Sequence, residues 1–394
     1  MQQQTQTAAD DRQVHGHVAD GFEEVRTEFE AFVAAEYNEP GSQLAAYVGD
    51  RLVVDLWAGE GMRGDSLHPV FSITKGAAFT VVAMLVQDGV LDLNRTVASY
   101  WPEFAAEGKG ELTVRELLAH RSGVIGVDGG FSTDELADDR IVAARLAGQK
   151  PFWEPGKGYG YHAYVIGGLT GEVVRRATGQ SVQEIWEERV RAPYGLDFYI
   201  GLPEDQEARV QDVRPMAPPP EVAAQLAANP PARDSHLAVA FNLHATPPTD
   251  LATFANTRSV RALGPTSAGG VGNARGLARF YAAAIGDVDG RAALLRPETI
   301  AEFSRLRTPG TDLVTGEEDH FGLGFETSHL RYPFLGGTAF GHSGAAGSQA
   351  FADPASGVAY GYTRRRFHFP PSGGAPENDQ LAAAVVRAAK RLGK

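Results

Sequence analysis

Two pairs of short β-favouring runs bracket this chain, and they constrain its fold more than any other feature. Near the start, residues 43–49 and 51–57 alternate around the turn Gly49-Asp50, a hairpin signal. Near the end, residues 348–352 and 358–363 flank the turn Asp353-Pro-Ala-Ser-Gly357. Each pair has a helix beside it. Phe22, Val25, Phe29, Phe32 and Val33 recur at helical spacing before the first pair, and Leu381, Val385, Ala388 and Leu392 do so after the second. The pattern predicts an α/β (α+β) architecture in which both chain ends build one antiparallel sheet flanked by terminal helices.

The segment between the ends reads differently. Residues 77–88, 113–119 and 165–177 have helical patterns, and the Pro-rich stretches 215–220 and 229–233 suggest an irregular surface excursion. The expected organisation is a disordered N-terminus over 1–16, a sheet domain over 17–75 and 266–394, and a mostly helical domain inserted over 76–265, with a cleft between the two. A formal net charge of −13 without a Lys/Arg-rich run argues against nucleic acid as a partner. The absence of cysteine removes thiol nucleophiles, Cys-ligated zinc and disulfides. Residues 1–20 lack a basic start and an apolar stretch, and no segment reaches the roughly 18 apolar residues of a membrane span, so a cytoplasmic protein away from membranes is expected.

Chemistry concentrates at Phe71-Ser72-Ile73-Thr74-Lys75. On a helix, positions i and i+3 share a face, so the Ser72 hydroxyl and the Lys75 amine would enter one pocket as nucleophile and base. The bland alternative is a helix-capping serine and a solvated lysine. The segments that follow are Leu85-Val-Gln-Asp-Gly89-Val-Leu-Asp92-Leu, Val97-Ala-Ser-Tyr-Trp-Pro102-Glu-Phe and Thr113-Val-Arg-Glu-Leu-Leu118-Ala-His120-Arg-Ser-Gly123. In this order and spacing the chain resembles the serine β-lactamase-like superfamily of penicillin-binding proteins, class C β-lactamases, family VIII carboxylesterases and related transacylases. The resemblance runs from about residue 20 to the C-terminus and is weakest from about 185 to 260. It implies a β-lactamase/transpeptidase-like fold and an acyl-enzyme on Ser72.

The resemblance also implies a Tyr-x-Asn motif after a Pro-Gly turn, and Pro155-Gly-Lys-Gly-Tyr-Gly-Tyr161-His-Ala163-Tyr occupies that frame. Tyr161 takes the place of the motif tyrosine, with Tyr159 and Tyr164 as competing assignments. Ala163 stands where the motif has Asn, which removes an amide that binds the substrate side chain in β-lactamases. Where the family carries Lys-Thr-Gly, this chain has His342-Ser343-Gly344-Ala345, and a neutral or partly charged imidazole binds anions less well than an ammonium. Both departures point towards ester chemistry. By resemblance, the backbone N–H groups of Ser72 and Ala345 form the oxyanion hole, and His342 and Gly344 contact substrate. Trp153 and Tyr159, with Phe152, are expected to line an acyl pocket or to pack in the core.

Three other patterns carry less weight. Gly59-x-Gly61-x-x-Gly64 follows a strand but leads into Asp65-Ser-Leu-His-Pro69 rather than a helix, so it reads as a turn. His15 and His17 lack a third metal ligand in the sequence around them. Gly-x-Ser-x-Gly is absent, and Ser122 and Ser343 read as background hydroxyls. The expected activity is therefore carboxylic ester hydrolysis without metal or organic cofactor on a small-molecule ester, thioester or amide. An acyltransferase delivering the acyl group to an amine or alcohol is the alternative, with β-lactamase or D-amino-acid peptidase activity less favoured. For Lys75 to act as a base near pH 7, its pKa must fall from about 10.4 by roughly 3, about 4 kcal/mol of differential solvation and contacts.

Overall fold

In the computed structural model, which describes residues 12–318, 320–369 and 374–392, the Gly49-Asp50 turn closes β2 (Gly41–Val48) onto β3 (Arg51–Gly59) as an antiparallel hairpin. The C-terminal runs become β9 (Gln349–Asp353) and β10 (Val358–Arg364), also antiparallel. The two hairpins join edge to edge, because β10 pairs with β2 from Val358↔Val48 to Arg364↔Ser42. With β1 (His15–Val18), β7 (Glu326–Thr327) and β8 (Phe340–Ser343), they form a seven-stranded sheet in the order β1-β3-β2-β10-β9-β8-β7. A second sheet of three short strands, β4 (His68–Pro69), β5 (Phe198–Tyr199) and β6 (Val271–Gly272), has the order β4-β6-β5.

Side chains alternate across a strand, so each strand of the large sheet feeds two cores. On one face, Leu44 and Ala46 of β2 and Tyr360 of β10 pack with Phe22, Val25 and Phe29 from the N-terminal helix and Leu381 and Val385 from the C-terminal helix. On the other, Ala45 and Ala359 meet Leu277 and Ala278 of the helix Ala274–Ile285, and this core continues into the apolar helix Ile73–Gln87. Every residue from Ile73 to Leu85 in that helix is buried, so it is apolar all round rather than amphipathic.

Three expectations need correction. Residues 1–11 of the expected disordered start lie outside the described residues, but 12–16 are ordered: His15–Val18 pairs with β3, and the Arg12 guanidinium donates to Val33 O (2.7 Å) and Glu36 O (2.9 Å) at the end of the N-terminal helix. A cation meeting orphaned carbonyls at a helix C-terminus supplies the anchor, and a four-residue polar strand leaves no periodic signal in the sequence. The Pro-rich excursion contains a helix, Pro220–Ala228, initiated by proline in its first turn and burying none of its residues. Third, the nucleophile helix begins at Ile73 rather than at Ala77. The Gly59–Gly64 pattern is the turn that ends β3, and among the described residues no helix is long and apolar enough to cross a membrane.

One buried cation ties both chain ends together. Arg364, at the end of β10, pairs with Glu377 of the C-terminal helix and donates to Glu36 Oε2 (2.8 Å) just after the N-terminal helix, while Tyr362 Oη donates to Glu377 Oε1 (2.6 Å). Removing one member of such a cluster strands the charges left behind. Arg364→Ala should therefore lower unfolding free energy by about 3 kcal/mol, measured by urea denaturation. A loss below about 1 kcal/mol would show that solvent already compensates these carboxylates.

Candidate active site

The chain reaches Ser72 through a strained turn. Phe71 has φ +50°, the left-handed region that non-glycine residues avoid, and it is held there by burial among Val213, Ala252, Ala255 and Ala346 and by an edge contact with Phe367 at 5.2 Å. Ser72 then takes helical angles (φ −65°, ψ −10°) and makes no capping hydrogen bond, so its hydroxyl is not used by the helix it precedes. Lys75, one turn on, is fully buried. Its Nζ lies 3.1 Å from Ser72 Oγ and donates to Ala163 O (2.7 Å) and Ser267 O (2.7 Å). Burial drives the Lys75 ammonium well below the usual lysine range, with Glu326 and Asp139 opposing. With two N–H groups committed to carbonyls, a neutral Lys75 amine would have its lone pair left to face Ser72 Oγ.

Tyr161 Oη donates to Ser72 Oγ from the other side at 2.7 Å. Burial pushes this phenol above the usual tyrosine range, and Glu326 and Asp312 add to the effect, so it rests as a neutral donor. The competing tyrosines are committed elsewhere: Tyr159 Oη donates to Gly310 O, and the Tyr164 ring packs edge-on against Phe254 at 5.1 Å.

The backbone that carries Tyr161 is held at each residue. Gly160 N–H donates to His120 O (3.1 Å), Tyr161 N–H to Asp312 Oδ1 (3.1 Å), His162 N–H to His120 Nδ1 (3.2 Å) and Ala163 N–H to Tyr161 O (3.0 Å). His162 has its own clamp: Nδ1 faces Gly160 O (2.6 Å) and so carries the proton, leaving Nε2 to accept from Ser122 Oγ (2.5 Å). Ser122, a background hydroxyl in the sequence, thus supports the segment next to Tyr161. The Tyr161 ring lies parallel to Phe321 with centroids 5.5 Å apart.

The His-Ser-Gly segment forms the opposite wall. Gly344 is required by close approach, since a Cβ there would sit 2.5 Å from Val70 O. Among the described residues, neither Ser72 N–H nor Ala345 N–H has a hydrogen-bond acceptor. His342, expected at the substrate surface, is only 1% exposed; it lies on the inner face of β8 with its ring 6.2 Å from that of Tyr161. Burial lowers it to about 4, with Lys75 adding and Glu326 opposing, and its Nδ1 faces Ser343 O (2.9 Å). Ser343 is occupied as well, its Oγ and N–H both donating to Glu326 Oε1 (2.5 and 3.0 Å).

Trp153 and Tyr159 line an outer groove with Arg121, Lys157, Pro309 and Leu313, and neither Ser72 nor Tyr161 is among its lining residues. Trp153 also joins the apolar cluster of Ile125, Val239 and Val314 against which Tyr161, Phe152 and Phe241 pack. Asp312, Ser267 and Glu326 were not singled out in the sequence, and His120 appeared only within the segment that ends at Gly123. The first three come from loops and a short strand with no local signature.

Comparison with known proteins bears on the family and the fold. Residues 23–384 match the Beta-lactamase family. Esterase/beta-lactamase LipL of Mycobacterium tuberculosis is 32% identical over 347 residues, covering 84% of this chain and 78% of that protein. The structure of EstA from Arthrobacter nitroguajacolicus Rue61a superposes with a TM-score of 0.88 at 41% identity, covering 96% of this chain and 99% of that one. A family VIII carboxylesterase gives 0.83 at 35% identity, covering 95% and 100%.

Four buried histidines make stability acid-sensitive. Burial lowers His68 to about 3, His162 and His342 to about 4, and His120 well below its usual value. Their folded values lie below the unfolded value of about 6.5, so their contribution is complete above pH 6.5. It is lost as the pH falls towards 4, because the unfolded chain takes up protons that the folded chain refuses. Each adds a slope of up to about 1.4 kcal/mol per pH unit. Urea unfolding at pH 7, 6 and 5 should show a steep decline, and constant stability across that range would contradict neutral buried imidazoles.

Proposed function

Since the chain belongs to the β-lactamase family and is a serine hydrolase of that fold, we propose that it hydrolyses small to medium carboxylic esters through an acyl group carried on Ser72. The observation that carries the reading is the position of Ser72 Oγ between a buried amine at 3.1 Å and a phenol at 2.7 Å. Neutral Lys75 takes the Ser72 proton as Oγ attacks the ester carbonyl, and the free N–H groups of Ser72 and Ala345 receive the developing oxyanion. Tyr161 protonates the departing alkoxide. The resulting tyrosinate is stabilised by the new Lys75 ammonium, whose Nζ lies 4.9 Å from the ring centroid. In the second half-reaction water attacks the acyl carbon, Tyr161 recovers a proton from that water, and Lys75 returns its proton to Ser72 Oγ. Protons balance over the cycle, and each step uses a side chain already in hydrogen-bond contact with Ser72.

Two features favour esters over β-lactams. Ala163 offers no side-chain amide, its carbonyl being occupied by Lys75, and His342 is neutral and buried where an ammonium would bind a carboxylate. Transfer of the acyl group to an amine or alcohol would use the same residues and differs only in what attacks the acyl carbon. Tyr159 and Trp153 are assigned to the outer groove, where they would meet a long substrate rather than the reacting carbonyl. His342 and Gly344 are assigned the shape of the wall beside Ser72, and the inserted segment 76–265, which carries Tyr161, the other wall.

Intact mass spectrometry after mixing with activated esters and candidate amines or alcohols tests the reading. Wild type should show one acyl adduct on Ser72 that decays to free acid, whereas dominant transfer to an added acceptor would replace hydrolysis by the transferase reading. Ser72→Ala should form no adduct and keep its fold, and Lys75→Ala and Tyr161→Phe should each slow acylation by about 10²-fold or more. An adduct persisting on Ser72→Ala would move the nucleophile elsewhere. Side by side, kcat/KM for a p-nitrophenyl ester should exceed that for a chromogenic cephalosporin by about 10²- to 10⁴-fold, the worth of two missing polar contacts. Equal turnover would remove the argument from Ala163 and His342.

A further inference from the structure

Asp312 lies 151 residues beyond Tyr161 in the sequence and is 1% exposed. One of its carboxylate oxygens, Oδ1, accepts three backbone N–H groups: Val314 (2.8 Å), Thr315 (3.0 Å) and Tyr161 (3.1 Å). The first two bonds fold the loop around itself, a local matter that an aspartate often manages. The third does something else. It fixes the amide of the residue whose phenol meets Ser72 Oγ, and it does so from a loop independently secured to the same stretch of chain. Leu313 N–H donates to Tyr159 O (2.9 Å), Tyr159 Oη donates to Gly310 O, and His236 Nδ1 faces Leu313 O (3.2 Å). A Cβ on Gly160 would sit 2.9 Å from the Val314 side chain, so loop and motif touch closely. The Asp312 carboxyl is raised by burial and drawn down by the three amides it accepts.

Resting on the assignment of Tyr161 as the proton donor, we propose that Asp312 is a positioning residue for that phenol: by holding the Tyr161 amide, it sets where Oη stands relative to Ser72 Oγ. A tyrosine ring pivots about its backbone, so a shift of the amide is carried to the hydroxyl at the far end. On the Lys75 side, the Ala163 carbonyl accepts from Nζ. Asp312 therefore completes a brace in which the two ends of one short segment are held by the base and by the loop. The bonds Asp312 makes do not include Ser72, and no substrate contact is assigned to it.

The test is a double-mutant cycle on p-nitrophenyl acetate, using wild type, Asp312→Ala, Tyr161→Phe and the double variant, with folding checked by circular dichroism. Asp312→Ala should lower kcat by about 10- to 100-fold, the scale of a misplacement near 1 Å, with KM within about threefold. Because the loss acts through Tyr161, the double variant should be no slower than Tyr161→Phe alone, within about threefold. Asp312→Asn, which keeps an acceptor oxygen in place, should restore kcat to within about fivefold of wild type. Losses that multiply in the double variant, an unchanged kcat in Asp312→Ala, or no rescue by Asn would overturn the proposal. Full activity in Tyr161→Phe would instead remove the assignment of Tyr161 on which it rests. Should Asp312→Ala not fold, the same cycle is run with Asp312→Ser, whose shorter side chain cannot span to the amides on both segments.

Discussion

Burial of the Lys75 amine is the constraint on which the rest of the site depends. A lysine without solvent is costly unless its hydrogens are accepted, and here two carbonyls far apart in the sequence, Ala163 and Ser267, take two of them. Neither belongs to the helix that carries Lys75. The Ala163 carbonyl is presented by the segment that displays Tyr161. Ser267 lies in the chain leading to β6, and its hydroxyl accepts the Gly167 N–H (2.7 Å), which fixes the carbonyl it offers. Three separate stretches of chain therefore converge on one nitrogen, and Ser72 takes the direction left over.

The same economy explains why so many imidazoles surround the site without taking part in proton transfer. His120, His162 and His342 are fully buried and held neutral, and each bonds to backbone or to a hydroxyl. A cationic imidazole here would raise the local potential and disfavour the ammonium that forms when Ser72 attacks. Their neutrality leaves Glu326 and Asp139 as the charges that chiefly oppose burial at Lys75. The imidazoles act as rigid polar spacers, and the site is paid for in acid stability.

The terminal hairpins, the apolar helix after Ser72 and the i, i+3 relation of Ser72 to Lys75 were legible because each rests on local periodicity. The resemblance, through the frame after Pro155-Gly156, pointed to Tyr161 rather than Tyr159 or Tyr164, and the phenol lies within hydrogen-bond distance of Ser72 Oγ. The supporting residues were not legible. Asp312, Ser267 and Glu326 reach the site through long-range closure, and their roles depend on an accepted N–H, a backbone carbonyl or a nearby charge, none of which has a sequence pattern. His342 shows a subtler limit: its position was readable by analogy with a cationic motif residue, but its burial on the inner face of β8 was not. Residues 12–16 show the opposite case, where a polar composition concealed an ordered edge strand anchored by Arg12.

The pairing of β2 with β10 also bears on how the molecule is made. Val48 is aligned with Val358, so the first hairpin leaves the ribosome with an unpaired edge and waits for almost the whole remaining chain before its neighbour is available. Such non-local closure slows folding and leaves the β2 edge open to other strands in the interval.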